Sequence, residues 1–110
     1  MLAWLLVAAQ AGAPTVENDL RCIASISQSL AAAKAEQRPV LTAGMAYFVG
    51  RVDAASPSTD IGAAVERIQR APGAKAALDA AALPCAERIM AKSMVFARLD
   101  RAVTRIEQPR

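Results

Sequence analysis

The sequence predicts an all-α protein: a compact bundle of four to five helices stapled by one disulfide, after an N-terminal signal-like segment. Three observations carry that expectation. The chain is 55% apolar but only 4% aromatic. Much of the apolar fraction is alanine, the best helix former because it loses no side-chain entropy and buries no polar group. Apolar residues recur at three- and four-residue steps along most of the chain, and no segment shows sustained strand alternation. Finally, Cys22 and Cys85 stand far apart in a short chain of 110 residues. In an exported protein of that size two such cysteines are normally partners; the alternative is two buried free thiols in a cytosolic core.

The first element is the signal-like segment, residues 1–13, ahead of a single helical domain over 14–110. Its apolar run, Leu2 to Ala9, is followed by small residues, the order found in a signal core and its cleavage region. Ala9 and Ala11 allow cleavage before Gly12; Ala11 and Ala13 allow it before Pro14. No basic residue precedes the run, which a start further upstream would supply. The segment is shorter than the roughly 20 apolar residues that span a bilayer, so no transmembrane span is expected. The alternative is an N-terminal apolar helix packed on the core.

The first long helix is expected from about Glu17 to Glu36, with Leu20, Ile23, Ile26 and Leu30 on one face and Asn18 or Asp19 as its cap. Pro39 suits the first turn of a second helix, whose stripe is Leu41, Met45, Phe48 and Val52. Gly44 reads as a packing notch in it, and Gly50 offers the same use. Thr59 or Asp60 caps a third helix carrying Ile61, Val65 and Ile68, with Glu66 and Arg70 spaced for an ion pair, and Pro72-Gly73 stops it. A short alanine-rich helix follows, anchored by Leu78 and Leu83. Pro84 is expected to open the last and longest helix, Cys85 to Glu107, with Ile89, Phe96, Leu99, Val103 and Ile106 facing inward.

A disulfide between Cys22 and Cys85 would close a loop of about 63 residues, worth roughly 4 kcal/mol in the chain-entropy model. It would pin the start of the first long helix to the start of the last. Helices leaving that staple in the same direction could enclose the second helix, although another packing order satisfies the same spacing.

Composition bounds the chemistry. Thirteen basic and ten acidic residues leave a net charge of +3, interspersed rather than gathered, so nucleic acid is not an expected partner. The absence of histidine removes the commonest general base and metal ligand, and two cysteines cannot complete a four-ligand zinc site. No nucleophile–base pair, carboxylate dyad or phosphate loop stands out, so neither an enzyme nor a metal or cofactor protein is expected. Gly44 to Arg51, GMAYFVGR, is the densest patch of large side chains. Tyr47, Phe48 and Arg51 are the candidate binding residues there, set against a plain structural role for an aromatic stripe. Arg98, Arg101 and Arg105 line one face of the last helix, interrupted by Asp100 and Glu107, and read as a solvated face before an acidic or lipid partner.

A first helix bearing Cys22, a central helix with Tyr47 to Arg51, and Cys85 opening a last long helix resemble a group of small bacterial exported proteins. The layout is also similar to that of the HdeA-type periplasmic acid-stress chaperones. This chain is poorer in charge and richer in alanine, with a wider cysteine separation. The resemblance implies a periplasmic, disulfide-stapled helical protein acting by binding, to unfolded clients or envelope components. Protonation of every carboxylate would carry the charge from +3 to +13, a self-repulsion that can open a compact state. The alternatives are a structural or assembly subunit that binds another protein, with its apolar stripes incompletely buried alone, and a small-molecule carrier. The sequence leaves the oligomeric state open.

Overall fold

Thr15 starts the first helix: its hydroxyl oxygen accepts the Asn18 N–H at 3.2 Å, satisfying one of the donors that a helix N-terminus leaves free. This is seen in the computed structural model, which describes residues 14–107. The signal-like segment lies outside the described residues. Helix α1 spans Val16–Ala31. The observed cap therefore stands one turn before the expected Asn18 or Asp19, both of which lie inside α1 and are buried. Helix α1 also ends before Glu36. Ala32 and Ala33 donate to Ser29 and Leu30, and a 3-10 turn, Ala35–Gln37, follows. The Lys34 N–H donates to Gln37 Oε1 at 3.1 Å to close that turn.

Helix α2, Arg38–Ala55, takes Pro39 in its first turn, where a missing N–H costs nothing. Phe48 and Val52 are fully buried; Leu41 and Met45 are half-buried beside them. Helix α3, Ile61–Arg70, is capped by Asp60, whose Oδ1 accepts the Ala63 N–H at 3.0 Å. Ile61, Val65 and Ile68 pack on the core from one side, and Glu66 pairs with Arg70 at 2.5 Å. Gly73, at φ 71°, turns the chain into helix α4, Ala74–Met90. The left-handed conformation is why glycine stands after Pro72.

The fourth and fifth helices depart from expectation. Helix α4 runs straight through Pro84 and breaks only at Ala91, before α5, Ser93–Glu107. An interior proline removes one backbone hydrogen bond and typically costs about 3 kcal/mol. Helix α4 absorbs this because Leu78 before the proline is buried beside α1 and α3 and Cys85 after it is buried in the core with Phe48 and Val52. Leu83, expected as an anchor, is 68% exposed. Among the described residues there are five α-helices, one 3-10 turn and no strand.

Helix α1 is the hub, packed by α2, α3 and α4. The disulfide joins Cys22 to Cys85, Sγ to Sγ 2.06 Å. Ser25 donates to the Leu78 carbonyl at 3.0 Å and Gln28 to Asp79 at 2.8 Å. Contacts at rising positions along α1 thus meet falling positions along α4, so the two helices are antiparallel. The staple joins the second turn of α1 to the last third of α4. It does not hold two helices leaving in the same direction.

The two glycines of α2 separate cleanly. A Cβ on Gly44 would sit 2.5 Å from Ile89 Cδ1 and 3.3 Å from its Cγ1, whereas Gly50 has nothing within 4 Å. Gly44 is the notch that lets α4 approach α2; Gly50 has no such use. Gly50→Ala is expected to stabilise the protein by about 0.5–1 kcal/mol through helix propensity. Gly44→Ala gains none of this, since displacing Ile89 offsets it. Urea unfolding of both variants checks the contrast, and equal gains would remove the notch.

Candidate functional site

Two features of the fold can carry function: a buried charge cluster around α2, and the uncovered face of α5. The cluster begins with Asp19, one turn before Cys22 and Ile23 on the inner stripe of α1. Its side chain is only 2% exposed. Arg51 of α2 donates from Nε to Asp19 Oδ2 at 3.1 Å, and from Nη2 to the Pro14 carbonyl at 3.1 Å. Arg88 of α4 brings Nη2 to 2.6 Å from Asp19 Oδ1. That approach is a charge contact without hydrogen-bond alignment, and neither amino group of Arg88 has an aligned acceptor among the described residues.

The aromatic residues complete the arrangement. The Arg88 guanidinium lies 4.9 Å from the centre of the Phe48 ring, and that of Arg51 5.9 Å from Tyr47. The two rings meet edge to face with centroids 5.0 Å apart. Ring faces attract cations, so Phe48 supports the face of Arg88 that Asp19 leaves free. One carboxylate and two guanidinium groups therefore tie α1, α2 and α4 together, with Asp19 buried, Arg88 largely so and Arg51 reaching solvent. The three expected binding residues, Tyr47, Phe48 and Arg51, are brought together here. Phe48 is wholly buried, and Arg51 is engaged with Asp19 and Pro14.

Asp19 and Arg88 were missed as partners by the sequence reading. The signal was present in each helix separately: a single acid on the stripe of α1, and a single base three residues after Cys85 on the stripe of α4. Only the antiparallel packing brings them together.

Clefts occur elsewhere. One of about 220 Å³ lies between α1, α2 and α4, lined by Ile26, Leu41, Ala82, Cys85 and Ile89 with Ser25 and Ser29. Another of about 230 Å³ lies between α1, α3 and α4, beside Arg21 and Arg67. These two are smaller than the roughly 300–1,000 Å³ of ordinary ligand pockets; a third, shallow cleft of about 700 Å³ beside Ser27, Gln28, Gln69 and Lys75 is not, and none of the three is lined by Tyr47, Phe48 or Arg51. Among the described residues no group of three or more His, Cys, Asp or Glu side chains is placed to hold a metal ion.

No family model, curated protein or solved structure matches the chain. What the protein presents to a partner is its surface.

That surface has one pronounced feature. Three residues of α5 expected to face inward face solvent instead: Leu99 is 59%, Val103 52% and Ile106 84% exposed; the Phe96 side chain lies outside the described ones. Met94 and Val95 are exposed beside them, and Met90 just before the turn is exposed as well. The cause is the break at Ala91–Lys92, which carries α5 off the end of α4, the helix it chiefly packs on. A helix with one apolar face and one polar face is shaped to cover something. No helix among the described residues is long and apolar enough to cross a membrane.

Proposed function

We propose that the protein is an exported, non-enzymatic binding module whose C-terminal helix α5 docks on a protein partner. The observation that carries this reading is the uncovered ridge of Val95, Leu99, Val103 and Ile106, on a body otherwise packed around Phe48. Contiguous exposed apolar residues of this kind mark interaction surfaces. Export is supported by the Cys22–Cys85 disulfide, since such bonds persist in oxidising compartments, and by the signal-like pattern of residues 1–13. The resemblance to HdeA-type chaperones fits the same compartment and a role in binding. The ridge is open in the folded protein, so binding through it needs no acid-induced opening.

The test places a photo-reactive side chain at position 99 or at position 104 of the chain in its native host. Thr104 lies on the polar side of α5, exposed, with its hydroxyl donating to the Asp100 carbonyl at 2.9 Å. Protein adducts are expected from position 99 and not from 104. Equal yields from both positions, or none from 99, would remove α5 as the docking face.

A further inference from the structure

The charges bordering the ridge say what covers it. At 3.6 residues per turn, Val95, Leu99, Ala102, Val103 and Ile106 share one face of α5. Arg98 lies roughly 100° to one side of that face and Asp100 roughly 100° to the other. Arg105 falls on the Arg98 side. All of these are exposed, so the ridge has one basic shoulder and one acidic shoulder.

This pattern discriminates among occupants. An anionic bilayer favours an amphipathic helix with cations on both shoulders, and Asp100 would then lie at the charged surface. A second α5 laid antiparallel about a two-fold axis places Arg98 beside Arg98 and Asp100 beside Asp100. A second α5 laid parallel reverses this: each basic shoulder meets the acidic shoulder of the other copy, twice by symmetry. The spacing of four, three and four residues through Val95, Leu99, Ala102 and Ile106 suits such a seam. From these shoulders we infer that the partner is a second copy of this chain, joined through parallel, in-register pairing of the two α5 helices. This rests on the reading of α5 as a docking face.

The expected strength follows from size. A helix of 15 residues offers a seam about 22 Å long, at the small end of specific interfaces. The complex is therefore a reversible dimer with a dissociation constant on the order of micromolar.

Sedimentation of the full chain, with the disulfide intact, tests the pairing across about 1–200 µM. A concentration-dependent dimer is expected; a monomer throughout overturns the inference. Arg98→Asp and Asp100→Arg should each weaken the dimer roughly tenfold, since each turns two attractive pairs repulsive. The double variant restores complementarity and should return close to the starting affinity. A double variant no better than either single change overturns the inference. Ile106→Cys, far from the centre of α5, should form a disulfide with its own counterpart under mild oxidation only if the helices are parallel. A dimer without that cross-link overturns the stated geometry. Binding to anionic vesicles by a chain monomeric in solution would assign the ridge to a membrane instead. If position 99 cross-links to a different protein while the purified chain is monomeric, the docking role of α5 stands and the second copy falls.

Discussion

Asp19→Asn is expected to lower the stability of the protein by about 3–5 kcal/mol, the usual effect of removing one partner from a buried ion pair. The substitution keeps the shape of the side chain and removes only its charge. What remains is the Arg88 guanidinium, 13% exposed, facing Arg51 with no anion between them. Arg51 is 35% exposed and can turn toward water, so its contribution is that of a partly screened surface pair. Arg88 has far less access to water, since its guanidinium lies against the Phe48 ring and its side chain is mostly buried. Its cation–ring contact is worth about 2 kcal/mol at most and does not replace a carboxylate.

Equilibrium unfolding in urea checks this, with Arg51→Met as the comparison. Arg51→Met should cost much less than Asp19→Asn, on the order of 1 kcal/mol. Replacing both buried partners, Asp19→Leu with Arg88→Met, should recover most of the loss, since apolar side chains of similar volume need no compensating charge. A loss below about 1 kcal/mol for Asp19→Asn would show that Arg88 finds water or another acceptor.

What the sequence disclosed follows the range of the interactions involved. Thr59-Asp60, Pro39 and Pro72-Gly73 are local signals, and the helices begin or end where their chemistry directs. The disulfide was legible because a chain with two cysteines allows only one pairing within itself. Pro84 misled because its local preference for a helix start competes with burial on either side: Leu78 and Cys85 hold one continuous helix through it. The break at Ala91–Lys92 has no propensity signal in those two residues, both good helix formers; only Ser93, suited to a helix start, marks it. That break turns the stripe of α5 outward. The stripe itself was plain in the sequence, but its direction depends on where the preceding helix stops. Asp19 and Arg88 were illegible as a pair for a related reason. Their meeting requires α1 and α4 to be antiparallel, which no spacing within one helix can specify.

The staple should have an effect as large as the charge cluster, but through the unfolded state. Cys22→Ala with Cys85→Ala is expected to cost about 4 kcal/mol in urea unfolding. The cysteines are 63 residues apart, and the closed loop contains all of α2 and α3, so its loss releases the chain entropy of the middle of the molecule. The loss falls on a small core: among the described residues only Leu20, Ile23, Ile26, Phe48, Val52 and Leu78 are large apolar side chains that are fully buried. Native domains hold only about 5–15 kcal/mol in total, so the reduced protein should be largely destabilised at physiological temperature. Reducing the unaltered chain should reproduce the effect, which separates the cross-link from the small volume change of the alanines. Hydrogen exchange localises it. Amides of α1 to α4 should exchange faster on reduction, whereas those of α5, outside the loop and packed chiefly on α4, should exchange readily in both states. An unfolding free energy unchanged within about 1 kcal/mol would mean that the unfolded chain already holds Cys22 near Cys85. Stability would then rest on the Asp19 cluster and the packing around Phe48.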